Sequence, residues 1–219
     1  MTSFALQLLN LLAAILLLLT FAMLSQRRIL SLIHLFTLHG ATLVTAALLV
    51  AYLTDDYHLY YSALLTFVLK VVLIPWILHK LIIRLNVKWD VEPLINVPAT
   101  MLIGIFLVII AFNLALPIAR LSASVAHGTL GIALACILLS LMMMITRSKA
   151  VPQVIGFLSM ENGLFFAATA ATNGMPMIVE LGVALAVLGG ILILGVFMFQ
   201  IREQFENMDI HNLEKLKED

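Results

Sequence analysis

The sequence predicts an all-α polytopic membrane helix bundle of about seven transmembrane helices, with the N-terminus outside and the C-terminus cytoplasmic. Three observations predict it. The 219 residues are 63% hydrophobic and 11% charged, with a mean hydropathy of +1.13. A soluble domain averages roughly 45–50% apolar and 25% charged, so lipid must be the solvent for most of this chain. Apolar runs long enough to span a bilayer, each needing ~20 residues, follow one another with short polar breaks. Lys and Arg collect on alternate breaks.

The first span covers about Phe4–Leu24 and stops at Ser25-Gln26-Arg27-Arg28. Its start lacks a basic segment, so it reads as a retained helix and not a cleaved signal. The second covers about Ile29–Leu53 and stops at Thr54-Asp55-Asp56. The third covers about Leu59–Ile83, with Lys70 and Pro75 inside it; Pro75 should free backbone carbonyls beside it. A longer polar connection, Arg84 to Val97, leads to the fourth span, about Pro98–Leu116, and a loop with Pro117 and Arg120 follows. The fifth covers about Ser124–Ile145 and breaks at Thr146 to Pro152. The sixth covers about Gln153–Ala171, and Thr172 to Pro176 makes a tight turn. The seventh covers about Met177–Ile201, where Gly189, Gly190 and Gly195 permit close helix approach. The chain therefore divides into a four-helix segment at 1–123, a three-helix segment at 124–201 and a polar tail at 202–219.

Orientation follows from the basic residues. Arg27, Arg28, Lys80, Arg84, Lys88, Arg147, Lys149 and Arg202 fall on one side; Arg120 falls on the other. The richer side is cytoplasmic. In the tail, Ile210, Leu213 and Leu216 recur at helical spacing, so an amphipathic segment there could dock a soluble partner.

Formal net charge is zero, and no basic block large enough for nucleic acid is present. Cys136 stands alone inside an apolar run and reads as a small buried hydrophobe. The Met142-Met143-Met144 run points to different helix faces and reads as packing. No HExxH, phosphate loop, triad or CxxC pattern occurs. No metal or other cofactor is expected, and the chain offers no catalytic centre of its own.

Buried charge carries the functional signal. An ionisable residue inside a span costs roughly 2.5–3.5 kcal/mol on insertion scales, and such residues often mark ion paths. Lys70 lies too deep to snorkel to either surface; it reads as a proton-exchanging group or as half of an ion pair with a carboxylate on a neighbouring helix. Glu161 lies about two turns into the sixth span and reads as a proton carrier or a carboxylate that ties helices together. Glu180 lies one turn into the seventh span, where an acid also complements the helix dipole. His34, His79 and His127 are candidate relay groups, each with a packing alternative. His34 and His39 stand five residues apart and do not share one helix face cleanly.

Residues Gln153-Val154-Ile155-Gly156-Phe157-Leu158-Ser159-Met160-Glu161-Asn162-Gly163, then Pro176, then Val179-Glu180-Leu181-Gly182-Val183, resemble the hydrogenase-4 component E family. The helix around Leu69-Lys70-Val71-Val72-Leu73-Ile74-Pro75 and the ending Met208-Asp209-Ile210-His211-Asn212-Leu213 are similar too. The resemblance covers essentially the whole chain. It implies a non-catalytic membrane-arm subunit of a complex I-like group 4 hydrogenase, of the formate hydrogenlyase type, in a bacterial or archaeal inner membrane. Expected partners are antiporter-like and quinone-site-like membrane subunits, with a nickel–iron hydrogenase and iron–sulfur subunits on the cytoplasmic side. Residues 124–201 would correspond to the small three-helix subunit of complex I, called K or 4L, which carries two membrane-embedded glutamates; Glu161 and Glu180 are the matching positions. The family often has an aspartate six residues after the second glutamate, where this chain has Ala186, so that role does not carry over. Glu161, Glu180 and Lys70 would then serve proton or sodium translocation. A different class stays open: a stand-alone secondary transporter, or a subunit of a multisubunit cation/proton antiporter. A stand-alone transporter would carry an internal repeat with paired broken helices, and Pro75 has no obvious counterpart in the other half.

Overall fold

A computed structural model describes residues 3–55, 57–85, 95–121 and 127–172. Among these, every regular element is helical. The helices are α1 (Ser3–Ser25), α2 (Ile29–Thr54), α3 (Tyr57–Thr66), a π-helical segment (Phe67–Leu73), α4 (Ile74–Leu85), α5 (Val97–Leu121), α6 (His127–Thr146) and α7 (Ala150–Thr172). Five stretches are long and apolar enough to cross a membrane: Phe4–Ser25, Ile29–Thr54, Tyr57–Lys80, Val97–Pro117 and Gly128–Thr146. That is the pattern of a multi-pass membrane protein. α7, which carries Gln153, Glu161 and Asn162, is not among the five. The expected seventh span and the tail lie outside the described residues.

The bundle has two hubs. α2 packs on α1, α3, the π segment, α4 and α7, while α6 packs on α1, α5 and α7. Hydroxyls inside the helices are tied back to the chain: Thr20, Thr37, Thr42, Thr45, Thr54, Thr146 and Thr169 each donate to the carbonyl four residues before them. In lipid this satisfies a donor that water cannot reach.

The core separates into two layers. Near the α1–α2 and α6–α7 turns, Leu32, Phe36, Ile74, Leu78, Leu139, Ile155 and Leu158 form an aliphatic cluster with their neighbours. Toward the α2–α3 turn, the second cluster is rich in small residues, including Ala13, Ala46, Ala47, Ala51, Ala63 and Ala133. The α2–α3 turn is tight: Asp55 closes α2 in the left-handed region with φ 52°, a conformation that Asp tolerates better than bulky residues. Tyr52, Tyr57, Tyr60 and Tyr61 are exposed around it, as aromatic residues are at a membrane–water interface.

Two prolines behave differently from the sequence expectation. The fourth span was expected to end at Leu116, but α5 continues through Pro117 to Leu121. One lost backbone bond bends a helix without ending it. Pro152, expected to break the chain, sits in the first turn of α7, where a missing N–H costs nothing. Gln153 secures that start by donating its side-chain amide to the Arg147 carbonyl at 2.7 Å.

Candidate functional site

Polar side chains from α1, α2, the π segment and α7 meet between the two apolar layers. The π segment is built by Pro75. Ile74 caps it by donating its N–H to the Leu69 carbonyl, five residues back. The next carbonyl in that register is Lys70, whose partner would be Pro75, which has no N–H to give. The widened turn holds Lys70 inward, 2% exposed. Lys70 lies thirteen residues beyond Tyr57, about 20 Å along the helix axis, within a bilayer core of ~30 Å.

Lys70 Nζ meets Glu161 Oε1 at 2.8 Å, with side chains 3% and 12% exposed. The ammonium also lies 5.9 Å from the Phe165 ring centroid, one turn further along α7, within cation–π range. Glu161 Oε2 is buried and has no hydrogen-bond partner among the described residues. The carboxylate is thus held on one oxygen and open on the other. A buried charge is tolerated only when it is paired and hydrogen-bonded; this one is paired and half bonded.

Beside the pair runs a second polar chain. Asn162 Nδ2 lies 3.1 Å from His39 Nδ1, and His39 Nε2 lies 3.2 Å from Thr20 Oγ1. Thr20 in turn donates to the Leu16 carbonyl at 2.8 Å. An amide nitrogen only donates, so with this amide orientation Nδ1 accepts and the imidazole carries its proton on Nε2. His39 is a neutral tautomer with both nitrogens engaged. Asn162 Oδ1, like Glu161 Oε2, is buried without a partner among the described residues. α2 runs close by at Gly40: a Cβ there would lie 3.4 Å from Val71 Cγ2 and 3.6 Å from the Lys70 carbonyl oxygen, ordinary van der Waals contact. α2 therefore touches the backbone of one member of the pair and the neighbour of the other through two consecutive residues.

α6 and α7 carry a third contact, Ser140 to Ser159 at 2.9 Å. At the aliphatic end, Arg147 is 2% exposed and donates to the Leu24 carbonyl at 2.6 Å, tying the α6–α7 turn to the end of α1. Burial holds its guanidinium below the usual arginine range, and the charge of Arg27 adds to that.

The sequence candidates are distributed unevenly. Lys70 and Glu161 come together. His34 and His79 are exposed and do not join the pair. His127 begins α6, but its side chain lies outside the described residues, as does Glu180. Sequence reasoning passed over His39 and treated Asn162 only as a neighbour of Glu161. A usable signal existed: Leu32, Phe36, His39, Leu43 and Ala46 recur at helical spacing, so His39 shares the apolar, buried face while His34 does not. Among the described residues no group of three or more His, Cys, Asp or Glu could hold a metal ion.

The chain is 30% identical over 194 residues to the uncharacterized protein Rv0085 of Mycobacterium tuberculosis, covering 88% of each. No family model matches the chain, and no solved structure does.

Proposed function

We propose, from the premise that this chain belongs to the same family as Rv0085 of Mycobacterium tuberculosis, that it is a non-catalytic membrane-arm subunit of a complex I-like group 4 hydrogenase. In this reading it couples redox chemistry in cytoplasmic partner subunits to ion translocation across a bacterial or archaeal inner membrane. Seven spans, with the N-terminus outside and the C-terminus inside, belong to the same proposal. The observation that carries it is the Lys70–Glu161 contact of 2.8 Å, enclosed between apolar layers with one carboxylate oxygen unengaged among the described residues. A structural tie would gain from bonding both oxygens; a group that takes up and gives back a proton needs one face open.

The chemistry is simple. In one state Lys70 is an ammonium and Glu161 a carboxylate. A proton arriving at Oε2 neutralises Glu161 and leaves the Lys70 charge uncompensated. That charge then acts on the next buried ionisable group, Glu180 or one on a neighbouring subunit, whose pKa it lowers. Redox turnover elsewhere in the complex would drive the cycle by changing the field at the pair.

Glu161→Gln tests this in the intact complex reconstituted into liposomes. Hydrogenase turnover is expected to persist, while ion translocation per turnover falls by at least about tenfold. Unchanged coupling would overturn the role given to Glu161. Transport by the isolated chain, with no redox partner present, would overturn the subunit reading in favour of a secondary transporter.

A further inference from the structure

The two directions out of the Lys70–Glu161 pair are chemically unlike. From Lys70 back toward the α2–α3 turn, the residues at successive four-residue steps are Thr66, Ser62 and His58. Thr66 and Ser62 are 2% and 3% exposed, and His58 is exposed at the helix end. From Lys70 onward, the same steps give Ile74, Leu78 and Ile82, all 2% exposed or less. One helix face is polar on one side of the pair and aliphatic on the other.

Ser62 makes the polar half more than a pattern. The threonines named above place their hydroxyls on the carbonyl four residues back. Ser62 Oγ does not; it is buried and has no hydrogen-bond partner among the described residues. Such a group costs free energy unless something supplies the missing bond. Each four-residue step is about 6 Å along the helix axis, a spacing that one bridging water can span. Glu161 Oε2, also without a partner among the described residues, would be the terminus for that line. On the other side of the pair, the cluster that contains Ile74 and Leu78 also contains Ile155 and Leu158 of α7, and the nearby hydroxyls of Ser140 and Ser159 bond each other.

We propose that the Lys70–Glu161 pair exchanges protons with one face of the membrane only, the face of the α2–α3 turn, through a hydrated half-path along His58, Ser62 and Thr66, and is sealed from the opposite face by the aliphatic layer around Ile74 and Leu78. The distribution of basic residues makes the open face the external one. The inference deepens the coupling role proposed above and rests on it for its meaning, but its geometry is tested without it.

Single cysteines are placed at Ser62, Thr66, Ile74 or Leu78 in a Cys136→Ala background, within the native complex in sealed membrane vesicles of either orientation. Silver ion, which is small and water-borne, is applied from one side. Remaining thiols are counted on this chain after it is separated from its partners under denaturing conditions, which also reports how much protein is present. Ser62→Cys and Thr66→Cys are expected to react about 100-fold faster from the α2–α3 face than Ile74→Cys or Leu78→Cys from either face. Equal rates at all four positions, or faster reaction at Ile74→Cys and Leu78→Cys, would overturn the path. As a second arm, Ser62→Ala with Thr66→Val is expected to slow coupled translocation severalfold, and Leu78→Thr to admit a proton leak. Unchanged translocation in the first and no leak in the second would also overturn it. Sided labelling in a complex that moves no ions would keep the path and reject the coupling role.

Discussion

Lys70 and Glu161 hold each other in place at a cost that neither could bear alone. Removing one partner of a buried pair leaves an uncompensated charge and costs about 3–5 kcal/mol, whereas replacing both with apolar residues is often neutral. Lys70→Met is therefore expected to destabilise the protein by about that amount, and Lys70→Met with Glu161→Met to recover most of it. Unfolding titrations in mixed micelles would check this; a double variant as unstable as the single one would mean that the pair does not act as a unit. Both residues were legible as buried charges because insertion energetics single out any ionisable residue deep in a span. An ion pair was one open reading of Lys70, but that Glu161 is its partner was not legible, because it depends on how π-segment and α7 faces are rotated toward each other. His39 was passed over for a related reason. Its partners Asn162 and Thr20 come from helices far apart in sequence, and a histidine alone does not announce which neighbours it will have.

At the level of the helical element, the π segment decides which way Lys70 points. Pro75→Ala would supply the N–H that the proline withholds and remove the reason for the wider turn. An α-helical register through residues 67–73 rotates Lys70 away from α7. The expected result is a protein that still inserts but in which a short bifunctional thiol reagent no longer joins Lys70→Cys to Glu161→Cys. Cross-linking at the level seen with Pro75 in place would sink this account of the segment. Pro75 and its effect on nearby carbonyls were readable from the sequence; the π geometry was not, since a helix can also answer a proline with a kink. Gly163 shows the same limit from the other side. A Cβ there would lie 3.0 Å from Ile137 Cγ1 and 3.3 Å from Ile137 N, so α6 and α7 are close because residue 163 has no side chain. Sequence reasoning assigned close helix approach only to the glycines of the seventh span and missed this one.

Across the whole molecule, alternating apolar runs and polar breaks were enough to find the helices. α1 and α2 begin and end within a residue or two of expectation, and the third span is realised as α3, the π segment and α4 end to end. A hydropathy pattern reports length and burial in lipid well because both are one-dimensional. It says nothing about which helix neighbours which, and so the central place of α2 and the split into two core layers emerge only in three dimensions. The proposed orientation makes its own prediction at this scale. A reporter active only outside the cell, fused in the α2–α3 turn at Asp55, is expected to be active; fused in the α6–α7 turn at Ser148, it is expected to be silent. The reverse pattern would invert the topology.

The aliphatic layer has an electrical consequence. Voltage across a membrane drops where the medium polarises least, and a dense slab of Leu, Ile and Met side chains polarises far less than a hydrated, hydroxyl-lined one. With the half-path hydrated as proposed, most of the membrane potential would fall between the Lys70–Glu161 pair and the α1–α2 end of the bundle. Moving one elementary charge through 100 mV requires about 2.3 kcal/mol, and nearly all of that work would be concentrated in a single step across Ile74, Leu78 and their neighbours. The pair itself would ride close to the potential of the α2–α3 face, which would make the step past the aliphatic layer the voltage-sensitive one.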